Sequence, residues 1–524
     1  MKRRRTSRFL AIAAMLSALV LSACGSAPAT VSAPSTAPAA SQEAAAPAAS
    51  EAPATAASAA PSDAAAPSDA AAPEASAAAA GSLPAVIKMP EQIAGGRPVT
   101  ITVIGKPPES QPESLKGWLA QVERFQKLYP NVTINGSDYA YAPDTFATLV
   151  AGKQVPTLFE VYLSDPGKII EQGVAADLSS IFDAHKLRDV FNPNILSITS
   201  KDGNVYGIPR SAYAMGLGYN IGMLKEAGFD APPTTWDELA TMAQTLTKRD
   251  VGRAGFSFIT DGSNATGWQL TTLAYTWGAK QSDIVTPAAD GHYTAGFASG
   301  APVDALNYVK DLRWKYDVLP RENLDWAKNG EALATGRAAM AVMAGDQFTW
   351  MRTTFPDVDM SQFGYAPLPA GPDGKSVSLV GGNIAMISSA ATDDEKEAAA
   401  YFRLWSQFDP AEIQIGYDLS QQDPTVVVGA PVLPLYVGEY QAASAALQQR
   451  YANLPVANYQ LFVDGVTAGK VGLEPEPATA GQEYYGAMGA VVSAILTDQS
   501  ADPSAAVKES ATTFQTNVLD QLTQ

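Results

Sequence analysis

Val99-Thr-Ile-Thr-Val-Ile104, then Leu115, Trp118, Leu119, Val122, Phe125 and Leu128 leading to Pro130, then Val132-Thr-Ile134: this stretch decides the fold. The first run mixes β-branched and apolar residues, as a strand facing a core does. The second repeats at helical spacing and stops at a proline, which cannot continue a helix. Strand, helix and strand within about 35 residues make a parallel crossover unit. A helix over about Asp144 to Gly152 and a third strand, Thr157 to Leu163, extend it. The expected class is α/β, a sheet layered with helices.

C-terminal to this unit, Lys201-Asp-Gly-Asn204 reads as a tight turn into Val205-Tyr-Gly-Ile-Pro209. Thr235-Trp-Asp-Glu238 and Thr392-Asp-Asp-Glu395 are capping boxes, each placing Thr at the N-cap and Glu three residues on. The second opens a helix whose inner face is Tyr401, Phe402, Leu404, Trp405 and Phe408. Further helices are expected near Val303–Tyr316 and Tyr484–Leu496. There is no internal repeat.

N-terminal to it, the ordered chain is expected to begin near Pro98. Residues 24–83 are mostly Ala, Pro, Ser and Thr, with prolines interrupting every helical run. That composition reads as a disordered tether with a reach of roughly 40–45 Å. Residues 1–23 carry Lys2, Arg3, Arg4, Arg5 and Arg8 before the apolar run Phe9 to Ala23, which is too short to span a bilayer and reads as a secretory signal. Leu21-Ser-Ala-Cys24 resembles the lipobox of bacterial lipoproteins, which implies acylation of Cys24 and an extracytoplasmic chain anchored by lipid.

Across 524 residues, 35 Lys and Arg stand against 53 Asp and Glu, a net charge of -18. That sign opposes binding to nucleic acid through a surface field. One cysteine excludes an internal disulfide, and His185 and His292 are too few for a histidine-rich metal centre. Gly374-Lys-Ser376 lacks the earlier glycine of a phosphate loop, since Pro369 stands there. The sequence carries no nucleophile elbow and no HExxH. Neither cofactor nor metal is expected.

Several motifs occur in one order: Asp202-Gly-Asn-Val-Tyr-Gly-Ile-Pro209, Gly218-Tyr-Asn220, Leu224-Lys-Glu-Ala-Gly228, Pro233-Thr-Thr-Trp-Asp-Glu-Leu239, Gly336-Arg-Ala-Ala-Met340, Ala366-Pro-Leu-Pro369 and Gly381-Gly-Asn-Ile384. In this order, behind a lipobox and tether, the chain resembles the family 1 bacterial extracellular solute-binding proteins, the carbohydrate-type receptors of ABC importers. The resemblance implies a two-lobed, periplasmic-binding-protein-like fold of type II, each lobe a mixed sheet flanked by helices, with a hinged central cleft. It implies crossings near Pro209–Tyr213, Gly330–Ala334 and Pro367–Pro369. The N-terminal lobe would be 98–209 plus 333–366, and the C-terminal lobe 210–332 plus 367–524. It further implies a monomeric, non-enzymatic receptor that closes on its solute and is read by membrane permease subunits.

Sugar rings offer apolar faces to aromatic planes and hydroxyls to fixed polar groups. Asp261 to Leu270, followed by Tyr275 and Trp277, and Gly345-Asp-Gln-Phe-Thr-Trp350 supply both kinds of group. Trp268 and Trp350 are the candidate stacking residues, with Trp277 beside them. Asp346, Gln347, Arg210 and Asn383 are the polar candidates, with Tyr213 and Gly382 added to the set, and Glu109, Asp138, Tyr141 and Asp165 follow successive strands of the first lobe, where open α/β sheets hold ligands. Trp118, Trp236, Trp314 and Trp405 fit helix faces and are assigned to packing. Two rival readings remain open: a secreted lipoprotein glycosidase using two carboxylates, and the same receptor for a peptide, polyamine or glycerol phosphodiester.

Overall fold

The computed structural model describes residues 83–522 apart from Ser110 and 289–291. The expected signal segment, Cys24 and the expected tether through residue 82 lie outside the described residues. Leu83 does not belong to the tether: with Ile93 and Ala94 it is buried in the first core, so the folded chain starts ahead of Pro98. No helix among the described residues is long and apolar enough to cross a membrane.

The opening unit forms as its pattern predicts. Strand β1 (Val99–Ile104) pairs in parallel with β2 (Val132–Ser137), and helix α1 (Pro112–Leu128) joins them. Strand β3 (Leu158–Tyr162) lies on the other side of β1, also parallel. The remaining strands of this sheet are β4 (Gly207–Asn220), β5 (Ala254–Ser257), β6 (Ala338–Ala344), β7 (Phe363–Ala366), β8 (Ser376–Ile387) and β9 (Val471–Pro475). Their order is β2-β1-β3-β8-β4-β6-β5, with β7 added to β4 and β9 to β8.

Two long strands make one sheet serve two lobes. The end of β8, Asn383 to Ile387, pairs antiparallel with β3, while its start, Ser376 to Val380, pairs with β9. Strand β4 runs beside β8 from Gly207 to Ala214, then passes to β6 and β7 from Met215 to Asn220. Opposite Asn383 and Ile384 the register slips, leaving Arg210 unpaired between Pro209 and Ser211, a bulge at the crossing.

Each lobe has its own apolar core. The first collects Ile101, Phe125, Val132 and Phe182 with Phe402, Trp405 and Phe408. The second collects Trp236, Leu239, Phe256, Leu273, Leu306, Met340 and Tyr484. A third cluster, containing Phe159, Ala212, Met343, Phe348, Tyr365 and Ile384, joins them through the crossing strands.

Strand pairing and core packing group the segments. Segment 333–366, expected in the first lobe, carries β6 and β7, which hydrogen-bond to the Met215–Asn220 end of β4, at the end of the sheet that the second core covers. Helix α2 (Asp393–Phe408), expected in the second lobe, packs on β1 and α1: Phe125 meets Phe402 at 5.1 Å and Trp405 at 5.3 Å. Arg124 forks onto Glu412 at 2.6 and 2.7 Å, tying the following helix to α1. The first core thus draws on residues 83–208 and 385–447, and the second on 213–379 and 480–519. The crossing expected near Pro209–Tyr213 lies within β4. Gly330–Ala334 instead closes a helix of the second lobe, Trp326–Ala334. The second crossing is β8, beyond Pro367–Pro369, and the chain returns through 452–470.

Both capping boxes form. Thr235 accepts from the Glu238 N–H while the Glu238 carboxylate accepts from Thr235, and Thr392 and Glu395 repeat the exchange.

Candidate functional site

A cavity of about 620 Å³ lies where the lobes meet the crossing strands. Ala142, Pro143 and Tyr162 face it from the first lobe, and Tyr213 from β4. Ser263, Asn264, Trp268, Trp326, Gln482 and Tyr485 face it from the second lobe, and Glu476 follows β9. Hollows of about 380 and 650 Å³ near Phe229 and Pro233 are lined by the second lobe and the returning segment alone. A solute in the first cavity touches both lobes; one in the others does not.

Local chemistry sets each wall. Asp261 Oδ1 accepts from the Ser263 N–H at 3.0 Å, Ser263 Oγ at 2.6 Å and Thr266 Oγ1 at 2.9 Å, folding the loop that starts helix α3 (Asn264–Thr276). Helix α4 (Gly481–Thr497) packs against α3 so closely that a Cβ on Gly267 would lie 1.9 Å from the Tyr485 carbonyl oxygen. That approach brings Trp268 and Tyr485 to one wall. Tyr213 stands edge-on to Trp268, with centroids 6.2 Å apart at 88°. Tyr141 and Tyr162 meet at 5.1 Å and 84°, and the Tyr162 hydroxyl donates to the Tyr141 carbonyl at 3.1 Å.

Polar contacts link the lobes beside the cavity. Asn264 Nδ2 donates to Gln482 Oε1 at 3.2 Å, and Gln482 Nε2 donates to Ser164 Oγ at 3.0 Å. Lys168 of the first lobe pairs with Glu483 of the second at 2.8 Å.

Three carboxylates gather around this space. Glu476 is buried and accepts from the Tyr485 hydroxyl at 3.3 Å; burial, then the charge of Asp165, pushes its carboxyl up to about 8. Asp165 is buried and accepts from the Tyr141 hydroxyl at 2.9 Å; burial pushes it up to about 6 against the pull of that bond and of Lys168. Asp346, half-buried at the start of helix Gln347–Thr354, is likewise pushed up to about 6 by burial. Burial, then the charges of Glu476 and Asp346, holds the Tyr213 hydroxyl well above its ordinary range. Among the described residues, no Lys, Arg or His lines the cavity.

The residues singled out in the sequence divide into three groups. Tyr213 and Trp268 line the cavity; Tyr141 and Asp165 sit behind the lining residue Tyr162, bonded to each other, and Asp346 acts on Tyr213 through its charge. A second set supports it. Gln347 is buried and donates to the Trp326 carbonyl at 2.9 Å, while Trp350 meets the Trp326 ring at 5.3 Å. Asn383 Nδ2 donates to Ser211 Oγ at 3.1 Å, and a Cβ on Gly382 would lie 2.1 Å from the Ser211 carbonyl oxygen. The third set is elsewhere. Trp277 stacks on Trp236 at 5.3 Å and packs on Tyr308 at 5.2 Å, at the far end of α3. Arg210 pairs with Glu160 at 2.6 Å and lines a different hollow, with Tyr417 and Tyr436. Glu109 and Asp138 are exposed on loops of the first lobe and do not line the cavity.

Tyr162, Trp326, Glu476, Gln482 and Tyr485 were not among the expected residues. Tyr162 ends the predicted third strand, and Glu476 sits between Pro475 and Pro477, a pattern that reads as exposed loop.

Comparison with known proteins agrees with this architecture. A probable ABC transporter-binding protein of Deinococcus radiodurans is 27% identical over 47% of this chain and 57% of its own length. A maltooligosaccharide ABC transporter solute-binding lipoprotein of Streptococcus pneumoniae is 24% identical over 52% of this chain and 62% of its own. The matched stretch thus spans under two-thirds of either relative. Among solved structures, maltose-bound T. maritima MalE3 superposes with a TM-score of 0.63 at 21% identity, covering 80% of this chain and 100% of that one. A Thermotoga lettingae solute-binding protein bound with α-D-tagatose gives 0.62 at 20% identity, covering 80% and 99%. These likenesses establish the type II, two-lobed α/β fold. Residues 109–405 match the bacterial extracellular solute-binding protein family, and the chain belongs to it.

Proposed function

We propose that the protein is a lipid-anchored extracytoplasmic receptor that binds a carbohydrate between its lobes and delivers it to an ABC importer. The observation that carries this reading is the aromatic cavity straddling the crossing strands β4 and β8, with Tyr162 from one lobe and Trp268, Trp326 and Tyr485 from the other. A ligand touching both walls favours the closed state by its differential affinity. The permease subunits would recognise that closed form. Tyr141, Asp165, Tyr213, Trp268 and Asp346, together with Tyr162, Asn264, Trp326, Glu476, Gln482 and Tyr485, are the proposed ligand-facing set. Residues 1–23 are the proposed signal and Cys24 the proposed lipid site, with the following segment as tether.

A thermal-shift screen of the purified protein tests this, using mono- and oligosaccharides, amino acids, polyamines and glycerol phosphodiesters. A solute at a hundred times its dissociation constant stabilises the folded state by about 2.7 kcal/mol. A stereoselective shift with one sugar, recovered intact, supports the receptor. Consumption of the sugar would assign a glycosidase, and a shift with only non-sugars would remove the carbohydrate.

A further inference from the structure

We infer that the solute taken by this cavity carries a cationic group, a protonated or quaternary amine, seated among Tyr162, Tyr213 and Trp268 against Glu476; within the carbohydrate reading, on which this rests, the class is an amine-bearing sugar.

The argument begins with charge. Glu476 is 8% exposed and faces the cavity, yet its hydrogen-bond partners are neutral, the Tyr485 hydroxyl and the Ser164 N–H. Asp165, 5% exposed, is held by the Tyr141 hydroxyl. The nearby ammonium, Lys168, is engaged at 2.8 Å by Glu483. Asp346 adds a third carboxylate whose charge reaches Tyr213. Buried carboxylates without a counter-ion are costly, and a ligand that supplies the cation removes the cost on binding.

The rings supply the second, independent observation. A neutral pyranose is best served by a flat platform. Here the lining rings Tyr213 and Trp268 stand nearly perpendicular, at 88°, while Tyr162 and Trp326 are each held edge-on by a ring behind the wall, Tyr141 at 84° and Trp350 at 70°. Walls set at right angles enclose a compact group from several sides, the arrangement by which aromatic cages hold ammonium ions. A carboxylate behind such a cage strengthens it in the low-dielectric interior.

The test uses matched ligands differing only in charge, titrated calorimetrically into the purified protein at neutral pH: glucose, glucosamine and N-acetylglucosamine, their β-1,4-linked dimers, and choline against its neutral isostere 3,3-dimethylbutan-1-ol. The cationic member should bind at least ~10-fold tighter than its neutral partners. That preference should vanish in Glu476→Gln, and in Asp165→Asn should the first variant fail to fold. Neutral sugars binding as well as or better than their amines would overturn the inference while leaving the carbohydrate receptor intact. Choline bound over its isostere, with no sugar bound, would keep the cation and discard the carbohydrate. Binding by no cationic probe, or a preference untouched by both variants, overturns the inference outright.

Discussion

The ring of Tyr213 lies across Gly381: a Cβ at that glycine would fall 2.5 Å from Tyr213 Cε2. The two residues face each other on adjacent crossing strands, paired directly in register. The absence of a side chain at 381 therefore sets where the aromatic wall stands. Gly381→Ala should displace the ring, weakening solute affinity at least ~10-fold while costing about 1–3 kcal/mol of stability from overpacking. Calorimetric titration and urea unfolding separate the two effects. Unchanged affinity would show that the position of Tyr213 does not matter to binding.

Trp268 and Trp277 provide an internal control. Both belong to α3 or its end, nine positions apart and hence about 13 Å along the axis. Trp268 lines the cavity; Trp277 stacks on Trp236. Trp268→Phe should weaken solute binding by about 2- to 10-fold, in the range of one aromatic contact, with a loss of stability like that at Trp277, since Trp268 is also buried in the second core. Trp277→Phe should leave affinity unchanged and lower stability by about 1–2 kcal/mol through lost packing. The opposite pattern in titration would exchange their roles.

That pair also shows what was legible in the sequence. Aromatic content near 268–277 announced a site, but which ring reached it depended on the direction of α3, which no local pattern encodes. The crossover unit and both capping boxes were readable because each is a local rule fulfilled by neighbours. The lobe boundaries were not. The run Ala338–Ala344 is apolar throughout and reads as a buried strand in either lobe; only its register with Met215–Tyr219 assigns it. Glu476 was invisible for a related reason: Ser164 and Asp165, distant in sequence, converge on it with Tyr485, nine residues on. Both depend on contacts that only the tertiary fold creates.

Helix α3 and helix α4 touch through Gly267, where an added Cβ would meet the Tyr485 carbonyl oxygen at 1.9 Å, and through Gly489, where it would meet that of Ser263 at 2.2 Å. Backbone cannot yield as a flexible side chain does, so the helices must separate. Gly267→Ala should destabilise the protein by about 3 kcal/mol and weaken solute binding together, because Tyr485 moves with its helix. Urea unfolding with parallel titration checks this. A loss of stability with full affinity would show that the wall tolerates the shift.

Glu476 determines the response to pH. Its carboxyl titrates at about 8 when folded, against an ordinary value near 4.3 in the unfolded chain. At pH 6 to 7 the folded state therefore holds a proton that the unfolded state has released. By linkage, stability falls as pH rises through this window, by up to about 1.4 kcal/mol per pH unit for one proton. Asp165, at about 6, adds the same sign of slope at lower pH. His185 works the other way: burial lowers its value, so its contribution is lost as pH falls. Urea midpoints of the ligand-free protein at pH 6.5, 7.0 and 7.5 should decline in that order. Glu476→Gln should flatten the decline, since the amide is neutral in both states. Stability that rises across this range in the unsubstituted protein, or an unchanged slope in the variant, would mean that Glu476 is ionised when folded and already balanced by a partner.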